Sequence, residues 1–123
     1  MEKHLVIIDD CDQTLELFLD FLEDSNFRVS TFVSPEKAFK TMKVDPPHLL
    51  VIDYVMPGIN GVEFIQALRE NMIYTGRTFI ITAKSSEVKN TIGDTIPNLE
   101  IFPKPIDFKS VTEKISKVLE TGS

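Results

Sequence analysis

Residues 5–18 read LVIIDDCDQTLELF: four aliphatic side chains in a row, then Asp9, Asp10 and Asp12, then apolar residues at wider spacing. A run that is apolar at every position suits a strand covered on both faces, as in a parallel sheet. From 13 to 24 the pattern changes. Leu15, Phe18, Leu19 and Leu22 fall at i, i+3, i+4 and i+7, which puts them on one stripe of a helix. Asp12 stands where an N-cap is expected. The stretch is therefore a strand, an acidic turn and a helix. Like charges crowded beside buried hydrocarbon are unfavourable, so these carboxylates are expected to hold something.

The same unit recurs along the chain. Further strand-like runs are RVSTF at 28–32, HLLVI at 48–52, RTFIIT at 77–82 and LEIF at 99–102. Between 34 and 43, Ser34 can cap, Pro35 suits the first helical position, and Ala38, Phe39 and Met42 share a face. A third helix is expected from Gly61 to Asn71 with Val62, Ile65, Leu68 and Met72 inward. A last one is expected from Asp107 to Leu119 with Val111, Ile115, Val118 and Leu119 as its stripe. The segment SSEVKNTIGDTIPN at 85–98 holds a glycine, a proline and β-branched residues, which predicts a short or frayed helix. Strict strand–helix alternation implies an α/β fold: a parallel sheet with right-handed crossovers and helices on both faces.

The 123 residues make one domain, long enough to bury a core. Nineteen acids against thirteen bases give a net charge of −6 with no basic run, which argues against direct binding of nucleic acid. No apolar stretch approaches the roughly 20 residues of a membrane span, and the N-terminus lacks the apolar core of a signal peptide. The one cysteine, Cys11, excludes an internal disulfide framework and fits the cytoplasm.

In such a sheet ligands bind beyond the carboxyl ends of the strands. The first strand ends at Asp9 and Asp10, the third at Asp53 and the fourth at Thr82, while Lys104 follows the fifth. Three carboxylates, a hydroxyl and an ammonium thus arrive at one rim from four strands. Clustered carboxylates repel unless a cation intervenes, and a hard divalent ion with oxygen ligands, Mg²⁺ above all, resolves the conflict. Mg²⁺ commonly shares its site with a phosphate, for whose oxygens Lys104 offers charge and Thr82 a donor.

Four strings in order, IIDDCD, VIDYVMPGINGVEF at 51–64, IITAK at 80–84 and FPKPI at 102–106, carry a resemblance to the receiver domain of two-component response regulators. The resemblance covers nearly the whole chain, 1–123. It implies a flavodoxin-like (βα)5 domain with strand order 2-1-3-4-5. It makes Asp53 the acceptor of a phosphoryl group from a phosphohistidine, on a sensor histidine kinase or a histidine phosphotransfer protein. Asp10 and Asp53 would ligate Mg²⁺ directly, Asp9 through water and Val55 through its backbone carbonyl. Thr82 and Lys104 would contact the phosphoryl group. Such a domain signals to a downstream target or output domain; it promotes its own phosphorylation and dephosphorylation without turning over external substrates. The resemblance also implies a cis bond between Lys104 and Pro105.

Two other readings stay open. Asp10-Cys11-Asp12-Gln13-Thr14 matches the D-x-D-x-T motif of haloacid dehalogenase-like phosphatases, with Asp10 as nucleophile and Asp12 as general acid–base. Against it stand Gln13 in place of the usual glycine, the lack of a late acidic pair and the little room for a cap. A receiver-like binding module without phosphorylation is the other, although none of the five rim residues is missing. His4 and His48 are expected at solvated positions on the opposite rim, and the acid cluster is expected to disfavour a Cys11 thiolate. Receivers commonly carry an aromatic three residues before the lysine. Ile101 stands there, and Phe102 has the opposite strand parity. The conformational signal is therefore expected to run through the backbone of 83–94.

Overall fold

The structure is a computed structural model, which describes residues 2–92 and 96–121. Its elements follow in strict alternation: β1 His4–Ile8, α1 Asp12–Phe21, β2 Arg28–Phe32, α2 Pro35–Val44 and β3 Leu49–Asp53. The second half runs α3 Gly61–Glu70, β4 Thr78–Thr82, α4 Ser85–Ile92, β5 Leu99–Pro103 and α5 Phe108–Thr121. All neighbouring strands pair in parallel, in the order β2-β1-β3-β4-β5. This is the flavodoxin-like order that the resemblance implies.

Side-chain parity along each strand sorts the core into two layers. Val6, Ile8, Leu50, Ile52 and Ile80 point to the face covered by α2, α3 and α4, where Ala38, Met42, Ile65, Leu68 and Val88 meet them. Leu5, Ile7, Leu49, Val51, Phe79 and Ile81 point to the other face, against Leu15 and Phe18 of α1 and Val111 and Ile115 of α5. Both faces being covered explains why β1, β3 and β4 are buried at every position. Ile101 lies on the first face and Phe102 on the second, where its ring sits 4.8 Å from Phe79.

Local chemistry sets the helix starts. Ser34 accepts the Lys37 N–H, with Pro35 at the first helical position. Asn60 and Glu63 form a reciprocal capping box, with bonds of 2.9 Å in both directions. Asp107 accepts the Ser110 N–H at the start of α5. The 85–98 segment yields the eight-residue α4, short as expected. Gly93 to Thr95, and with them part of the 83–94 expectation, lie outside the described residues. Among the described residues no helix is long and apolar enough to cross a membrane.

Four expectations are corrected. Asp12 is not the N-cap of α1: Cys11 holds that place, extended and without a side-chain cap, because Asp9 already accepts the Cys11 N–H and turns the chain earlier. Asp12 instead joins the first turn, at the favourable positive end of the helix dipole. The helix also stops at Phe21, and Leu19 lies at the exposed margin of the stripe, since Phe18 takes the place against Phe108. Met72 does not face inward; it is 86% exposed. Beyond Glu70 the chain closes with Met72 N–H on the Arg69 carbonyl and Ile73 N–H on the Leu68 carbonyl, which puts Met72 at φ 55° and turns it out. Ile73 packs on the core in its stead.

His4 is the fourth correction. It is buried inside β1, not solvated. Its N–H donates to Nδ1 of the half-buried His48 at 3.0 Å, and its Nε2 lies 2.8 Å from Ser30 Oγ. The Asp45–His48 turn covers it, and Arg28 pairs bidentately with Asp45 outside. Burial, helped by the Arg28 charge, lowers the pKa of His4.

Candidate functional site

The strand ends bring the expected residues to one rim. Asp53 closes β3 and is 5% exposed. Asp9 is buried just past β1, and Asp10 next to it is exposed. Carboxylate oxygens of these three lie within 4.8 Å of one another. Burial raises the Asp9 pKa from 3.8 to about 6, with the Asp53 and Asp10 charges adding to it; the Cys11 N–H and Lys104 oppose the shift. The cluster is thus electrostatically unfavourable without a cation.

Lys104 answers part of that charge. Its Nζ stands 3.0 Å from Asp53 Oδ1. The approach is an ion pair off the hydrogen-bond direction, so among the described residues Asp53 Oδ1, although buried, accepts no aligned donor. A buried carboxylate oxygen without a donor, beside two further carboxylates, is an all-oxygen set of the kind that hard divalent cations take. These residues fit a bound Mg²⁺.

Short local turns fix the rim. Asp9 Oδ1 accepts the N–H of Cys11 at 2.9 Å, and Thr82 Oγ1 accepts the N–H of Lys84 at 2.8 Å. Each is a side chain bonded to the backbone two residues on, a turn that Asp and Thr favour. Sequence reading overlooked both, although an Asp or Thr just before a helix is their signal. Thr82 is buried at the end of β4, and its hydroxyl acts there as acceptor, which leaves its proton to donate. The Lys104 N–H donates to the Thr82 carbonyl, which ties β5 to β4, and the Lys104–Pro105 bond is cis.

Behind Asp53, Tyr54 anchors the next loop: its N–H donates to the Ile81 carbonyl and its carbonyl accepts the Gly61 N–H at 2.8 Å. A Cβ at Gly61 would lie 2.8 Å from the Asp53 carbonyl oxygen, so only glycine permits this approach. Gly58, at φ 85°, turns the loop. Val55 lies in the same loop with its side chain exposed.

Asp12 and Cys11 stand apart from the cluster, both exposed on α1. The expectation for Cys11 is reversed. Its thiol pKa is lowered, first by the Thr14 side chain and then by the Thr14 and Gln13 N–H groups. The opposing Asp9 charge is a smaller influence, because the open N-terminus of α1 faces the sulfur.

The structure thus joins a five-stranded flavodoxin-like sheet to an acidic, lysine-bearing rim. The model of the response regulator receiver domain family matches residues 5–116. The chain belongs to that family. It is 26% identical over 119 residues to the alkaline phosphatase synthesis transcriptional regulatory protein PhoP of Bacillus subtilis, covering 97% of this chain and 49% of that one. With the transcriptional regulatory protein CpxR of Escherichia coli the identity is 29%, over 97% and 50%. The chain thus spans about half the length of these curated relatives. The chemotaxis response regulator CheY4 of Vibrio cholerae shares the fold with a TM-score of 0.82 at 20% identity, over 97% of this chain and all of that one. The receiver reading, not the phosphatase one, is the reading that this membership supports.

Proposed function

We propose that Asp53 is the phosphoryl acceptor of a two-component relay, charged from a phosphohistidine on a sensor histidine kinase or a histidine phosphotransfer protein. One observation carries this reading: a buried carboxylate oxygen that accepts no hydrogen bond, 3.0 Å from a lysine ammonium and grouped with two more carboxylates. An Asp53 oxygen attacks phosphorus as the bond to the histidine nitrogen breaks, and the imidazole leaves. A loose transition state of this kind needs alignment and charge neutralisation more than a strong nucleophile. Lys104 neutralises charge on the phosphoryl oxygens, and the Thr82 hydroxyl donates to one of them. Asp10 and Asp53, Asp9 through water and the Val55 carbonyl would hold Mg²⁺, which would supply the remaining positive charge. The local turns keep Asp9 and Thr82 in place before any phosphoryl group arrives.

The whole chain, 1–123, is read as one cytoplasmic receiver that signals and does not turn over external substrates. The two curated relatives are transcriptional regulatory proteins twice its length. Its target is accordingly an output domain or a separate protein.

Acetyl phosphate with Mg²⁺ tests the proposal. Intact-mass analysis should show one added phosphoryl group on the wild type and none on Asp53→Asn. Beryllofluoride should shift the amide signals of 9–11 and 53–57. Label on Asp10 with rapid turnover of small phosphoesters would reinstate the phosphatase reading, and no labelling at all would leave the binding module.

A further inference from the structure

The face covered by α2, α3 and α4 bears a feature that phosphoryl chemistry does not use. Between α2 and α3 runs a groove of about 350 Å³, floored by Phe39, Ile59, Phe64 and Ala67 and edged by Lys40 and Lys43. Through Pro35, Glu36 and Ile59 it continues into a hollow of about 370 Å³ that reaches Val33, Pro57 and Gly58, in the loop that follows Asp53. Phe39 is half-buried, edge-on to Phe64 at 6.0 Å, and Lys43 Nζ lies 5.2 Å from its ring centre. One turn beyond Lys40, Val44 is left 87% exposed. Aromatic floor and exposed valine together leave apolar area that the described residues do not cover.

The charge of the groove departs from that of the molecule. The chain carries −6, yet the charged residues that line the groove are Lys40 and Lys43 against Glu36 alone. Glu36 is itself held by Lys40 at 3.4 Å. An apolar floor with a positive edge selects an apolar, acidic occupant. Two ten-residue helices flank it, each about 15 Å long. That length suits a helix of two to three turns laid between them, anchored at i, i+3 or i+4, and i+7.

We propose that the α2–α3 groove docks an amphipathic helix of a partner protein, acidic on its polar face and anchored by leucine or an aromatic ring. Burial of the anchor on Phe39 and Phe64 supplies affinity, while the lysines set the sign of charge that is accepted. The occupant would reach the loop behind Asp53, so that partner and phosphorylation site share one boundary.

The probe is a synthetic helical peptide of about 14 residues, with Leu and Phe at the anchor spacing and Glu and Asp elsewhere. Its counterpart carries Lys at the acidic positions. Amide-shift titrations of the unphosphorylated protein should perturb residues 36–44 and 59–67 with the acidic peptide. The basic peptide should bind about tenfold more weakly, and a Lys40→Glu, Lys43→Glu double variant should invert that preference. Both lysines lie at the surface, so the fold survives the change; Phe39→Ala, checked by circular dichroism, should weaken both peptides. Shifts confined to other faces, equal binding of both peptides, or no binding at millimolar peptide would overturn the proposal. Self-association of the peptide-free protein through these residues in sedimentation would also overturn it, in favour of a second copy of the chain.

Discussion

Replacing Asp9 by asparagine should stabilise the metal-free domain, and only above the acid range. Burial and the Asp53 charge lift the Asp9 pKa from 3.8 to about 6. A carboxyl whose folded pKa lies above its unfolded value holds its proton more tightly in the fold. Its contribution is therefore fully present below about pH 4 and is lost as pH rises through 6. The shift corresponds to about 3 kcal/mol at pH 7.5, from 1.36 kcal/mol per pKa unit. Asparagine cannot ionise, and its side-chain oxygen can still accept the Cys11 N–H that Asp9 accepts at 2.9 Å.

Urea unfolding in EDTA, across pH 4 to 8, measures this. The expected gain of Asp9→Asn is near zero at pH 4 and about 2–3 kcal/mol at pH 7.5. Adding Mg²⁺ should then narrow the difference, since metal stabilises the wild type by mass action and the variant less. A gain that is the same at every pH would show packing at work instead of charge. No gain at pH 7.5 would refute the electrostatic reading of the rim.

Three further outcomes are expected. Gly61→Ala should lose about 1–3 kcal/mol in chemical denaturation, since its Cβ would lie 2.8 Å from the Asp53 backbone oxygen, and acetyl-phosphate labelling should slow with it. Met72→Gly should raise stability by about 0.5–1 kcal/mol in the same assay, because Met72 adopts φ 55° and, being largely exposed, gives up little packing. Hydrogen exchange with and without beryllofluoride should change most over 83–92 and little at Ile101; the reverse pattern would place the switch in β5.

The rim was legible because strand ends are. Apolar runs closing on Asp9, Asp53 and Thr82 place those residues by periodicity alone, and parity assigned Ile101 and Phe102 to opposite faces. The failures share a cause: each depends on a bond from elsewhere in the chain or from a neighbouring turn. Asp12 lost the cap because the Asp9 side chain reached Cys11 first. Met72 kept its helical spacing in sequence but lay past the closure made on the Arg69 and Leu68 carbonyls. His4 looked like a strand-edge polar residue until Ser30 and His48, 26 and 44 positions away, enclosed it. The Cys11 thiol was weighed against the nearby charges only, whereas the Thr14 side chain, with the N–H groups at the start of α1, outweighs them.

These observations bear on why the site is built at a loss. Asp9 is held by its turn where burial disfavours its charge, and Asp53 is buried with an oxygen that, among the described residues, accepts no aligned hydrogen bond. Lys104 relieves only part of this, from a half-buried position at one oxygen. The two covered faces of the sheet supply the stability that lets the rim remain unfavourable, with side chains such as Phe18, Ile52 and Ile80 wholly buried. On the proposed function, unmet charge in a rigid frame would act as stored preference for a cation and for phosphoryl oxygens. A rim with well-satisfied carboxylates would be more stable and would gain less from binding either. The cluster that stood out as unfavourable beside the first strand is, on this account, the feature that binding would relieve.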